Sequence, residues 1–227
     1  MNFKISVIAV MTLVFGLASL SPALAKKDLP TINDEGMTLV SNSKMSTIYA
    51  DPDADLSIYD RVWLKDATVA FKKNWQRDQN RTTRFKVQTK DMEKIQHDVA
   101  TLFRDAFTKE LLDGGYELVE EAGENVLVVI PAIVDLDIIA PDIQGASRSY
   151  TFSESAGEMT LNLELFDSLT NDKIVKATDR KRDYDRGYVE WRTSVNNRAV
   201  AKRFMTSWAE ALRTTLDDAR SSTGKLN

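Results

Sequence analysis

One stretch constrains the fold more than any other: Asn125 to Asp137, Asn-Val-Leu-Val-Val-Ile-Pro-Ala-Ile-Val-Asp-Leu-Asp. Its centre, Val126 to Val134, carries no charge, is rich in β-branched residues, and has acids on both sides. Such a run is too short to span a membrane and too β-branched for a comfortable helix. It reads as a strand buried on both faces, against which the other elements pack. Pro131 removes a ladder donor in its middle, so either a bulge or a division into two shorter strands is expected there. Asp135 and Asp137 alternate with Leu136 and Ile138, so the far end should emerge from the core.

The first residues have a different character. Lys4 precedes an apolar stretch from Ile5 to Leu20, and Ala23-Leu24-Ala25 has the small-x-small pattern of a signal-peptidase site before Lys26-Lys27-Asp28. Residues 1–25 are therefore expected to be a signal peptide, cut after Ala25, and the mature chain to be periplasmic. With no cysteine in the chain, no lipid anchor and no disulfide framework are expected. Lys4 is the only charged residue removed, leaving 29 basic against 34 acidic residues, a net charge of −5. A mildly acidic domain of this size gives no reason to expect nucleic acid as a partner, and no transmembrane span is expected after signal cleavage.

Residues 26–48 are polar and turn-rich and are expected as a flexible leader, followed by one domain over 49–220 and a tail over 221–227. Asp60 to Phe71 reads as a strand whose alternation slips near Asp66, a possible bulge. Asp91 to Asp113 is an amphipathic helix with Ile95, Val99, Leu102, Phe103, Ala106 and Leu111 on its apolar stripe. Asp91 is its expected N-cap, and Gly114-Gly115 ends it. A short strand, Tyr116 to Glu120, leads into the central one. From Gly157 to Asp167, Met159, Leu161, Leu163 and Leu165 alternate with Glu158, Thr160, Asn162 and Glu164, the pattern of a strand covered on one side only. Lys173 to Asp183 returns as its antiparallel partner after a turn in which Asn171 or Asp172 is left-handed. The last helix runs from about Val195 to Ala219, with Ala201, Phe204, Trp208, Leu212 and Leu216 on one stripe. These elements predict an α+β two-layer sandwich: a mixed, mostly antiparallel sheet of about five strands, with two helices on one face and a polar opposite face.

Candidate sites are few. Lys72 to Lys90 carries a local charge of +6 inside a negative protein. If that segment is helical, Lys73, Arg77, Arg81 and Arg84 share a face at i, i+4, i+8, i+11, a contact for an anionic partner. The competing reading is a solvated loop whose Trp75 folds back onto the core. Arg180 and Arg182 could hold a carboxylate or phosphate between them, or simply end a strand. His97, the only histidine, falls on the polar side of its helix. Asp135 with Asp137, and Glu158 with Glu164, are the pairs that carboxylate chemistry could use, though nothing in the sequence brings either pair together. The long polar segment from Ala140 to Ala156 is either mobile or used for binding.

Several features occur together: Tyr-x-Asp-Pro-x-Ala-Asp-Leu-x-x-Tyr over Tyr49 to Tyr59, Trp75, Gly115-Tyr116, Phe166-Asp167-Ser168 and Trp208-Ala209-x-x-Leu212. In combination they resemble an uncharacterised family of Gram-negative envelope proteins, the domain of unknown function numbered 3313, over roughly Gly36 to Asp217. Many members of that family look like lipoproteins. This chain departs from them in lacking the lipobox cysteine and in having Asn171-Asp172 where a turn glycine is usual. The resemblance brings no catalytic residues. The expected function is that of a non-enzymatic envelope protein, a binding or assembly accessory that contacts another envelope protein or an anionic envelope component, with no cofactor. The alternative is a periplasmic carboxylate-based hydrolase.

Overall fold

The computed structural model describes residues 29–41, 43–82, 86–138, 151–153, 157–183, 190–192 and 194–223. In chain order they form β1 (Thr38–Leu39), β2 (Thr47–Ala50), a 3-10 turn (Leu56–Ile58), β3 (Arg61–Leu64), β4 (Thr68–Phe71), α1 (Trp75–Thr82), α2 (Thr89–Asp113), β5 (Glu117–Leu118), β6 (Val126–Ile138), β7 (Thr151–Ser153), β8 (Gly157–Asp167), β9 (Lys173–Arg182), β10 (Glu190–Arg192) and α3 (Ser194–Thr223). Eight strands make one mixed sheet in the order β1-β2-β9-β8-β6-β3-β5, with β4 also on β6, and β7 pairs with β10 apart from it. The α+β class is as expected. The expected five strands and two helices become eight and three, because several strands are only two to four residues long and leave little periodicity to read.

β6 is the central strand, parallel to β3 and β4 on one side and antiparallel to β8 on the other. It is sealed on both faces only from Val126 to Val129; beyond that point burial alternates, and Ile130 is 40% exposed. The expectation of burial on both faces is corrected accordingly: the helices cover one face, and among the described residues nothing comparable covers the other.

Pro131 neither bulges nor divides β6. The four steps from Leu64 to Thr68 are matched by three from Val129 to Ala132, so one extra residue loops out between β3 and β4, where the alternation slips at Asp66. The Lys65 N–H donates to the Val129 carbonyl, so the odd-numbered residues of this part of β6 turn their polar backbone atoms towards β3 and β4. The nitrogen of Pro131 therefore faces the looped-out residue, where a ladder donor would find no regular partner. The bulge of β6 lies later, between Val134 and Asp137, where Asp135 takes φ 51°.

The core combines Leu127, Val129, Ile133 and Leu136 of β6 with the alternating Met159, Leu161, Leu163 and Leu165 of β8, Val175 and Ala177 of β9, and the stripes of α2 and α3. All five expected stripe residues of α3 are buried; on α2, Phe107 joins Phe103 in a stack with centroids 3.9 Å apart. The N-cap of α2 is Gln88 rather than Asp91, which lies three residues later and accepts the Gln88 N–H at 2.8 Å. Gly115, at φ 77°, provides the left-handed exit.

Residues 29–48, expected as a flexible leader, hold β1 and the start of β2, which extends the sheet beyond β9. Burial of Met37 and Met45 anchors this segment.

Candidate functional site

The face away from α2 and α3 carries a ladder of cross-strand polar pairs. At one end Lys173 bridges Glu164 and Glu35, each at 2.8 Å, and Lys176 reaches Glu35 at 2.9 Å. In the middle the Thr178 hydroxyl donates to the Asn162 amide oxygen at 2.9 Å. At the other end, charged groups from four strands or their ends converge. Register sets Asp137 opposite Glu158, and Glu158 opposite Arg182. Lys72, just past β4, reaches Asp137 at 2.9 Å and Glu158 at 3.7 Å; Arg180 and Arg182 reach Glu158 at 2.5 and 3.8 Å.

The acids lie beneath and the bases outside. The Glu158 side chain is 12% exposed and that of Asp137 24%, against 50% for Lys72, 60% for Arg180 and 59% for Arg182. Burial pushes the Glu158 carboxyl up, but the hydrogen bond and charge of Arg180, with Lys72 and Arg182, outweigh it and hold the group below its ordinary value. The hydrogen bond and charge of Asp137 raise Lys72. Both groups are thereby fixed in their charged forms at neutral pH.

Lys72 leads directly into α1. Asn74, at φ 64°, turns the chain, and Trp75 packs back, 3% exposed, stacked on Phe71 at 4.2 Å and donating its indole N–H to the Ile138 carbonyl at 3.1 Å. Gln76 and Asn80 both donate to the Val87 carbonyl at 3.1 Å, and the Val87 N–H returns to Asn80. The basic stretch is therefore partly a short, tethered helix, with the Trp75 packing that the solvated-loop reading foresaw. Of the four cations expected to share one helical face, two are placed on α1 among the described residues. Lys73 precedes the helix, Arg77 and Arg81 lie on it, and Arg84 lies outside the described residues. Lys73, Arg77 and Arg81 are exposed, and Arg77 pairs with its neighbour Asp78 at 2.9 Å.

The other candidates separate. The space between Arg180 and Arg182 is occupied by the chain's own Glu158. Asp135 and Asp137 are divided by the bulge, so Asp137 meets Glu158 instead, around Lys72. His97 is exposed on α2. Of the 140–156 segment, only Thr151–Ser153 is described, paired with Glu190–Arg192. Among the described residues no group of three metal-ligating side chains forms, and no helix is long and apolar enough to cross a membrane.

Sequence reasoning missed the convergence on Glu158. The parity of Glu158, Arg180 and Arg182 on the wet face was legible, but the register between strands was not. It also missed Asp179, buried on the core side, which accepts from the Ser46 N–H at 3.0 Å and the Trp208 indole at 2.7 Å.

Among the described residues these elements define a two-layer α+β domain with one accessible, ion-paired sheet face. The chain belongs to the family described as protein of unknown function (DUF3313), whose model matches residues 31–212. No curated protein matches it. Among solved structures it is similar to the PelC dodecamer from Paraburkholderia phytofirmans, at 12% identity and TM-score 0.37, covering 74% of this chain and 96% of that one. It is also similar to a Xanthomonas campestris protein of family DUF330, at 13% identity and TM-score 0.42, covering 77% and 94%. A minor lipoprotein from Acinetobacter baumannii aligns at 10% identity and TM-score 0.25, covering 73% and 94%.

Proposed function

We propose that this is an exported, periplasmic envelope protein without catalytic activity, a binding or assembly accessory working through its open sheet face and the basic helix beside it. One observation carries the reading: among the described residues the two long helices bury one face of the sheet and leave the other accessible, and at its Glu158 end the acids are covered and the cations outward. Lys73, Arg77 and Arg81, exposed before and along α1, with Arg84 following in the sequence, supply further cations. The alternative, a carboxylate-based hydrolase, draws on the meeting of Asp137 and Glu158. A general acid, however, needs a carboxyl raised towards neutrality, and Glu158 is shifted the other way.

The test is a photo-crosslinking residue placed at Asn162 on the open face, and at Glu210 on the exposed side of α3 as the control, in cells. An adduct of defined mass from Asn162 and none from Glu210 is expected. Equal adducts from both positions, or hydrolysis of an ester, phosphoester or glycoside that is lost in Asp137→Asn, would overturn the reading.

A further inference from the structure

We infer that the open sheet face is where two copies of this chain meet, face to face with their strands antiparallel. The inference rests on the reading that the chain works through this face, and it names what lies opposite. β6 supplies the first reason. Its run from Val126 to Val134 carries no charge, the composition of a strand covered on both sides. Leu127, Val129 and Ile133 pack into the core beneath the helices. On the other side Val128 is buried, with Trp63 and Phe166 as its register partners on β3 and β8. Beyond it Ile130 is 40% exposed, and Ala132 and Val134 are partly so. Together they form an apolar strip down the middle of the open face, flanked on β8 by Thr160, Asn162 and Glu164. An apolar centre with a polar rim is the anatomy of an interface.

Size and charge favour a second copy as the occupant. The face is about 35 Å long on β8 and about 20 Å across from β9 to β4, a flat outline of roughly 700 Å². A standard stable interface takes ~800 Å² from each partner. The two ends of the face carry opposite charge. At the Glu158 end, Lys72, Arg180 and Arg182 lie outward over covered acids. At the far end, Ser168 bonds to Gly123 and Arg61 to Asn125, which ties the turns before β3 and β6 to the turn after β8. There Asp60, Glu121, Glu124 and Asp172 are exposed. The cations of that end are engaged: Arg61 reaches Asp60 at 3.8 Å, Lys65 lies over the Trp63 ring, and Lys173 sits between Glu164 and Glu35.

The two ends are also equally far from Ile130. Glu124 and Leu136 lie six residues either side of it, and Leu136 is paired with Phe71, next to Lys72. A two-fold axis lying in the face and crossing the strands at Ile130 therefore lays each basic end on the other copy's acidic end, an isologous contact. Ile130 meets its own counterpart, while Lys72 and Arg182 come to the other copy's Asp60 and Asp172. An axis running along the strands would set basic end on basic end.

The experiment is photo-crosslinking from Asn162 in cells that express two differently tagged copies of the full chain. An adduct of twice the chain mass, carrying both tags, is expected. Ile130→Lys places two ammonium groups on the axis, at a position exposed enough for the fold to carry it, and should cut the adduct about tenfold. Ile130→Val should retain it. Arg182→Glu and Asp172→Arg should each lose about fivefold when expressed alone. Expressed together they should recover the adduct, because only the mixed pair has opposite charges at both contacts. Charge variants that fail to restore one another overturn the antiparallel arrangement. An adduct carrying one tag and the mass of another protein, or a link within a single chain, overturns the second copy and leaves the working face in place. No adduct from Asn162, or equal adducts from Asn162 and Glu210, removes the working face as well.

Discussion

The indole of Trp208 on α3 donates to the carboxylate of Asp179 on β9 at 2.7 Å, joining helix and sheet inside the core. The same carboxylate accepts the backbone N–H of Ser46, one residue before β2, and the Ser46 hydroxyl. One buried acid thus ties together the last helix, the third-from-edge strand and the segment that begins the sheet's outer edge. Lys181, 3.6 Å away, supplies the nearby positive charge.

Trp208→Phe keeps a six-membered ring and removes the donor together with the rest of the indole. It should lower stability by about 1–3 kcal/mol, the cost of depriving a buried polar group of its partner. Trp208→Ala should cost more, about 3–5 kcal/mol, because a cavity opens as well. Urea unfolding reads both: the midpoint should fall while the slope stays near that of the native chain. A phenylalanine variant with an unchanged midpoint would show that neither the indole bond nor the lost ring atoms contribute.

Valine is a better strand former than proline, yet Pro131→Val should destabilise this protein. The new N–H would point at the looped-out residue between β3 and β4, at a position buried from water. An orphaned donor costs about 1–3 kcal/mol, and losing the proline frees the unfolded chain by a further ~0.4–1 kcal/mol. Thermal unfolding of the variant against the native chain is the measurement. A valine variant of equal or higher stability would contradict the assignment of the extra residue to the span 65–67.

The same position shows what a single sequence can reveal. Pro131 and the slip at Asp66 were both legible as irregularities, but each pointed only to its own strand; the pairing that makes them one feature is non-local. α2, β6, β8, β9 and α3 were legible because each is long enough for its period to repeat, and burying two apolar stripes on one sheet face required no knowledge of register. β1 and β2 were not, since two to four residues carry no period. Their places are set by contacts such as Ser46 with Asp179, distant in sequence. The candidate site divides in the same way. Arg77 and Arg81 could be read from the charge run. The gathering of Lys72, Asp137, Glu158 and Arg182 depends on the register across β4, β6, β8 and β9.

Gly157 takes φ +126°, and a Cβ there would lie 1.9 Å from the Asp137 carbonyl oxygen, a backbone atom that cannot swing aside. Gly36 is also left-handed, at φ +79°, but nothing lies within 4 Å of its Cβ position. Gly36→Ala should therefore cost only backbone strain, about 1–2 kcal/mol. Gly157→Ala carries strain and collision together, so it should lose ~3 kcal/mol or more or fail to accumulate as folded protein. Soluble yield and melting temperature, compared across the two variants, decide this. Equal losses would mean that β6 and β8 do not approach so closely at the bulge.

Glu158 makes the ion cluster visible to pH. Its carboxyl ordinarily titrates at 4.5, and in the folded protein burial, which raises it, is outweighed by Arg180, Lys72 and Arg182, so the folded value is lower. Above pH 4.5 the group is charged in both states and its favourable interactions are fully present. As pH falls below 4.5 the unfolded chain takes up the proton first, and the contribution disappears as pH drops through the folded value. Glu158→Gln should therefore be less stable than the native chain at neutral pH but decline less steeply below pH 4.5, the two curves converging in acid. Some slope remains in the variant, because Asp167 is held low by hydrogen bonds, the Thr170 N–H first among them, and titrates in the same direction. Melting temperature against pH, from neutrality down to about pH 3, measures the difference. Curves that stay parallel throughout would remove Glu158 as the organiser of the cations around it.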